Sequence, residues 1–301
     1  MCSTEPENMN NGIKCDDDVG DAFGTFGYTR NSVAPIPTPL QTAPTERNAT
    51  YYNMNHPRRG LALIFNHEFF TISHLKSRSG TNVDCDNLIK TLKSLDFEVN
   101  DFHNSPHKEI VKNLERVAEM DHSDHDCLVV AVLSHGELGL IYAHDTAYKA
   151  ESLWHHFTAD RCPTLAGKPK MFFIQACQGD KLDPGLTLKE RTETDGQPAA
   201  TFRIPSQADF LIAYSTVPGY YSWRNTSRGS WFMQALCMEL CENGTRYDLL
   251  TLLTFVCQRV ALDFESNTPD NITMHQQKQI PCITSMLTRL VKFTSQKNGL
   301  V

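Results

Sequence analysis

Short apolar runs bounded by turn residues recur along the chain, at residues 59–65 (RGLALIF), 127–133 (CLVVAVL), 170–174 (KMFFI) and 208–214 (ADFLIAY). Runs of this length without alternation read as strands covered on both faces. Residues 97–102 add a shorter strand and residues 280–290 a last one. The intervening segments have helical spacing. Leu88, Ile89, Leu92 and Leu95 share one face, and Ile110, Val111, Leu114 and Val117 share another within 108–120. Residues 230–240 and 248–262 predict two more amphipathic helices. Strands alternating with helices predict an α/β fold: a mainly parallel sheet of about six strands with helices on both faces.

Two stretches lack this patterning. Residues 1–50 are rich in Asn, Asp, Thr and Pro, and read as a disordered tail that Pro35, Pro37, Pro39 and Pro44 keep partly extended. Residues 182–205 are polar and aperiodic, with Pro184, Gly185, Gly196 and Pro198. A loop this long inside a domain is usually functional or disordered.

Candidate chemistry lies just after two of the strands. The 127–133 run ends in Ser134-His135-Gly136-Glu137, and the 170–174 run in Gln175-Ala176-Cys177-Gln178-Gly179. Ligands of open α/β sheets bind beyond the carboxyl ends of the strands. If these strands are neighbours, joined by a right-handed crossover with a helix between them, the thiol and imidazole meet at the rim. That pair is the minimum set for a thiolate nucleophile with its acid–base partner, and an imidazolium there favours the thiolate.

Composition narrows the class. The 301 residues are 40% hydrophobic and 21% charged, as in soluble globular proteins, and the net charge of −7 argues against a nucleic-acid surface. The chain opens MCSTEPE, with no basic or apolar leader region, and no apolar run reaches the length of a membrane span. A cytoplasmic protein is expected. Cys127, Cys237, Cys241, Cys257 and Cys282 then read as small buried hydrophobes kept reduced, and the sequons at Asn48, Asn225, Asn243 and Asn271 as unmodified. The run 121–126 (DHSDHD) has metal-ligand residue types but reads as a solvated turn. No metal or cofactor is expected.

QACQG at 175–179, with SHG upstream at 134–136, carries the local signature of caspases. The chain closely resembles that family of Asp-directed cysteine peptidases over about residues 51–293. The resemblance implies a caspase-like three-layer sandwich, with residues 51–195 as the large subunit and 196–301 as the small one. It implies Cys177 as nucleophile and His135 as acid–base partner, with the N–H groups of Gly136 and Cys177 as oxyanion donors. No third triad side chain is evident, and a backbone carbonyl near Lys76 is implied as the orienting group. Arg78, Gln175 and Arg224 are implied as the cradle for a P1 aspartate, whose planar carboxylate suits guanidinium forks. Tyr221 and Trp223 are implied as walls for P2, with Trp231 for P4. Ser222 and Arg224 would pair with substrate backbone, and Asn225 would lie near a P4 aspartate. Residues 266–276 lack the phenylalanines that many executioner caspases carry there.

The short polar tail resembles that of executioner, insect-type members, which implies an apoptotic zymogen. Asp195, before Gly196 in the polar loop, is the expected inter-subunit cut; Asp183 is a poorer one because Pro184 follows it. Asp21 is the expected prodomain cut and exposes Ala22, an amino terminus suited to inhibitor-of-apoptosis proteins. The implied partners are protein substrates, an upstream initiator caspase and a second copy paired through the last strand. The rival reading is a silent caspase-like decoy, although decoys usually lack the Cys, the His or an S1 arginine. A flavodoxin-like regulatory domain is the third, and no phosphate-binding glycine loop supports it.

Overall fold

The computed structural model describes residues 43–185 and 205–294. In chain order come β1 (Arg58–Asn66), α1 (Thr81–Ser94), β2 (Glu98–His103), α2 (His107–Ala118) and β3 (His125–Leu133). Three short strands follow: β4 (Gly136–Glu137), β5 (Leu140–Tyr142) and β6 (Ala147–Lys149). Then come β7 (Lys170–Gln175), β8 (Phe210–Tyr214) and the hairpin of β9 (Arg224–Asn225) and β10 (Gly229–Ser230). α3 (Trp231–Asn243), α4 (Leu249–Asp263) and β11 (Cys282–Ser285) complete the series.

Six strands form the main sheet in the order β11-β8-β7-β3-β1-β2. All pairings are parallel except β11 against β8. The period-2 alternation of each strand sorts its side chains to two faces. On β3, Cys127, Val129, Ala131 and Leu133 pack with α1, α3 and α4 on one face. Leu128, Val130 and Val132 pack with α2 and the segment 148–165 on the other. This is the layering that the apolar runs predict.

Four expectations change. No α-helix crosses from β3 to β7; the connection holds β4–β6 and short 3₁₀ turns, of which Ala150–Leu153, His155–Phe157 and Pro163–Leu165 pack through Leu153, Phe157 and Leu165. Those turns are too short to show helical periodicity. The last strand covers only Cys282–Ser285, although Met286 N–H still donates to Phe210 O at 2.8 Å. The 121–126 turn is only partly solvated: Asp121 and Ser123 are exposed, but His122, His125 and Asp126 are fully buried, with Asp126 2.7 Å from Arg59 Nη1 and the two imidazoles joined at 2.9 Å. Cys127 and Cys237 are buried as expected, but Cys241 is exposed and Cys257 and Cys282 are half-buried.

Residues 43–50, the last of the expected tail, are hydrogen-bonded to the folded unit. Asn53 N–H donates to Thr45 Oγ1 at 3.0 Å, and Leu290 N–H donates to Thr50 O at 2.9 Å. Asp21, Ala22 and Asp195 lie outside the described residues.

Several buried histidines tie the stability of the fold to pH. Burial lowers His67 to about 3 and His135 to about 4, and also lowers His122, His125 and His156. Each lies below its unfolded value of about 6.5, so its contribution is present above that pH and lost as pH falls through the folded value. Asp84 runs the other way. Burial raises it to about 6, so its contribution grows as pH falls from about 6 towards its unfolded value. With five imidazoles against one carboxyl, the thermal midpoint is expected to drop by roughly 5 °C or more between about pH 7 and about pH 4.5. A midpoint constant over that range in scanning calorimetry would contradict this.

Candidate active site

β3 and β7 are adjacent and parallel, with Leu133 opposite Gln175. Their carboxyl ends therefore release His135 and Cys177 on the same rim, the juxtaposition the two motifs predict. Ser134 N–H donates to Gln175 O at 3.0 Å, joining the segments just before the two residues. At Gly136 a Cβ would stand 2.7 Å from Cys177 O and 2.9 Å from Ala176 Cβ. Only glycine allows the His135–Gly136 turn to lie against the backbone of Cys177.

His135 Nε2 lies 2.7 Å from Lys76 O. A carbonyl only accepts, so Nε2 carries the proton and Nδ1 is the basic nitrogen of the neutral ring. The Phe70 ring packs at 4.9 Å on the imidazole. Cys177 is half-buried; its Sγ accepts from Ser222 N–H at 3.4 Å and faces Ser222 O at 3.8 Å.

The protonation states differ from the imidazolium and thiolate expected from the motif. Burial is the main cause at both groups. It lowers His135 to about 4, helped by the charges of Arg78 and Arg224, and raises the Cys177 thiol despite them. At neutral pH the free site therefore holds a neutral thiol beside a neutral imidazole. Sequence motifs give the partners but not the dielectric around them.

The surroundings of Cys177 are basic. Arg78 is 1% exposed, with Nη1 donating to His67 O at 3.0 Å and Thr81 Oγ1 at 2.6 Å. Burial, then the charge of Arg224, holds it down at about 9. Arg224 is also lowered, chiefly by burial, and its Nε donates to Ser79 O at 3.0 Å. Among the described residues no carboxylate lies within ion-pair distance of either guanidinium. Gln175 donates from Nε2 to Ser222 Oγ at 2.8 Å, while its buried Oε1 has no partner. A half-turn of that amide places an NH₂ where Oε1 stands, the donor a carboxylate needs.

The other expected residues surround this centre. Trp223, Trp231 and Phe264 form an aromatic stack with centroids 5.6 and 5.6 Å apart, and Tyr221 meets Trp223 edge-on at 5.1 Å. Phe264, missed in the sequence, ends the stack. Asn225 Oδ1 accepts from Ser227 and Arg228 N–H at 2.9 Å each, so its acceptor caps the hairpin turn instead of facing a ligand. Ser222 turns its backbone towards Cys177 Sγ, so pairing with a substrate strand requires the thiol to swing away. Gln279 holds the same segment: its Oε1 accepts from Trp223 N–H and its Nε2 donates to Ser215 O, both at 2.6 Å.

Comparison with known proteins agrees with this geometry. Residues 59–292 match the family model of the caspase domain. The chain is 65% identical over 281 residues to Caspase-1 of Spodoptera frugiperda, covering 93% of this chain and 92% of that one. It is 63% identical to Caspase drICE of Drosophila melanogaster, over 84% of this chain and 75% of that one. The crystal structure of Caspase-1 from Spodoptera frugiperda superposes with a TM-score of 0.81 at 65% identity, covering 87% of this chain and 100% of that one. By sequence and by fold, the chain belongs to the caspase family of Asp-directed cysteine endopeptidases.

Proposed function

We propose that in this executioner caspase Cys177 is the nucleophile, His135 the proton carrier, and Arg78, Gln175 and Arg224 the cradle for the P1 aspartate. The observation that carries this is the pair of desolvated guanidiniums near the Cys177 thiol, with no carboxylate within ion-pair distance among the described residues. A P1 carboxylate entering between them supplies the missing charge. It also cancels the two positive charges that help to hold His135 low, so the bound substrate makes the imidazole more basic.

The chemistry then balances. Cys177 Sγ attacks the P1 carbonyl carbon while His135 Nδ1 takes the thiol proton. The oxyanion is held by Gly136 and Cys177 N–H. The C–N bond breaks, His135 returns the proton to the leaving amine, and a thioester remains. Water, deprotonated by His135, hydrolyses it to the aspartyl carboxylate and the free thiol. Tyr221, Trp223 and Trp231 wall the sites for P2 and P4, and Ser222 and Arg224 pair with substrate backbone. Every step uses groups of the chain and of water.

In this reading the chain is a cytoplasmic zymogen. Cuts after Asp195 and Asp21 separate residues 51–195 from 196–301 and expose Ala22. No helix among the described residues is long and apolar enough to cross a membrane. Its partners in this reading are an upstream initiator caspase and inhibitor-of-apoptosis proteins that take the Ala22 terminus, and β11 pairs two copies. Mass spectrometry of wild type beside Cys177→Ala tests the processing. Fragments ending at Asp195 and Asp21 are expected only from wild type, and uncut wild type would overturn self-processing. A synthetic peptide beginning at Ala22 that fails to bind an inhibitor-of-apoptosis domain would remove that partner.

A further inference from the structure

One buried carboxylate outside these assignments lies behind the arginine pair. Asp84 stands in the first turn of α1 and is 2% exposed. Its Oδ1 accepts Ser230 N–H at 2.8 Å and its Oδ2 accepts Ser230 O–H at 2.6 Å. The two residues are 146 positions apart, so the contact joins two distant segments.

Each segment carries one guanidinium. Arg78 lies just before α1 and donates to Thr81, the first residue of that helix. Arg224 lies in β9, opposite Ser230 of β10 in the hairpin register. The Asp84–Ser230 contact therefore links the segment bearing Arg78 to the hairpin bearing Arg224. Gly229 shows how close the approach is: its φ is +89°, and a Cβ there would overlap Asp84 Oδ1. The hairpin is short, two residues in each strand, and besides Asp84 it is held by Arg224 Nε donating to Ser79 O at 3.0 Å and Gln234 Nε2 donating to Gly229 O at 2.9 Å. Asp84 is not a salt-bridge partner of either arginine among the described residues, but its charge favours the ionised form of both.

We propose that Asp84 is a positioning residue for P1 recognition: its two hydrogen bonds to Ser230 fix β9, and with it Arg224, opposite Arg78. The proposal rests on the reading that these two arginines take the P1 carboxylate. It makes specificity depend on an aspartate that never meets the substrate.

The test uses the full-length, processed protein, with active thiols counted by covalent titration. Kinetics are followed on two peptides that differ only in P1, Asp or Asn. Asp84→Ala is expected to raise KM for the Asp peptide about tenfold or more, with kcat per titrated thiol within about threefold. Asp84→Asn keeps a donor and an acceptor for Ser230, so it is expected to recover much of that KM. A scaffold role alone would lower the number of titratable sites and leave KM unchanged. KM within twofold of wild type in Asp84→Ala, or Asp84→Asn as defective as Asp84→Ala, would overturn the anchoring. If Asp84→Ala fails to fold, Ser230→Ala is measured instead; it removes one of the two bonds. A KM raised at least threefold supports the anchor, and an unchanged KM refutes it. Failure of the underlying reading looks different: wild type itself would then cut the Asp and Asn peptides equally well.

Discussion

Replacing Cys177 by alanine is expected to lower kcat/KM on a P1-Asp peptide by about four to six orders of magnitude. The substitution removes one sulfur that makes only weak hydrogen bonds, to the backbone of Ser222, so the fold should survive. What disappears is the covalent route: without Sγ no thioester forms, and His135 has no nucleophile to deprotonate. The same logic applies to His135→Ala. The imidazole receives the thiol proton and delivers it to the amine, so loss of either partner stops the same step. Groups acting as a unit are strongly non-additive. The double variant should therefore be little worse than Cys177→Ala alone. Initial rates at matched concentration, with thermal melts to verify folding, measure this. Single-variant effects that multiply in the double variant would show that the two residues act separately.

The second large effect is expected at the arginine cradle. Arg78→Ala should cost about 3–5 kcal/mol of transition-state binding for a P1-Asp peptide, or about two to four orders of magnitude in kcat/KM. The reason is burial: a substrate carboxylate that enters this cavity loses its water, and one guanidinium alone leaves it incompletely paired. Arg78→Lys should restore little, because an ammonium lacks the planar fork. The substitution also strands His67 O and takes one donor from Thr81 Oγ1, which keeps its own bond to Asn66 Oδ1, so stability falls by roughly 1–3 kcal/mol. The ratio of rates on P1-Asp and P1-Asn peptides separates the two effects, since a stability change moves both rates together. Collapse of that ratio in Arg78→Ala is the expected result, and a ratio like that of wild type would remove Arg78 from P1 recognition.

Much of this arrangement was legible in the chain. The strand runs are almost wholly apolar because helices cover both faces, so β1, β3, β7 and β8 stand out without alignment. Their adjacency placed His135 and Cys177 on one rim, and the resemblance to the caspase family supplied Arg78 and Arg224. Other features depend on tertiary packing. The strands β4–β6 are too short to carry a period. Asp84 and Gln279 are ordinary polar residues until folding brings Ser230 and Trp223 against them. Phe70 and Phe264 carry no local sign that one will pack on an imidazole and the other will end an aromatic stack. The upward shift of Cys177 and the downward shift of His135 are hidden in the sequence for the same reason. The motif gives the chemical types, while burial, visible only in the fold, decides which form each takes.

The most direct measurement uses a peptide that ends in an aspartyl chloromethyl ketone, whose chloride an activated thiol displaces to leave a stable thioether. Peptide mapping then locates the adduct among the ten cysteines of the chain. A single adduct at Cys177, absent with the asparaginyl counterpart and absent in His135→Ala, is what the thiol, the imidazole and the basic cavity together require. Labelling at another cysteine, or equal labelling by the asparaginyl peptide, would contradict it.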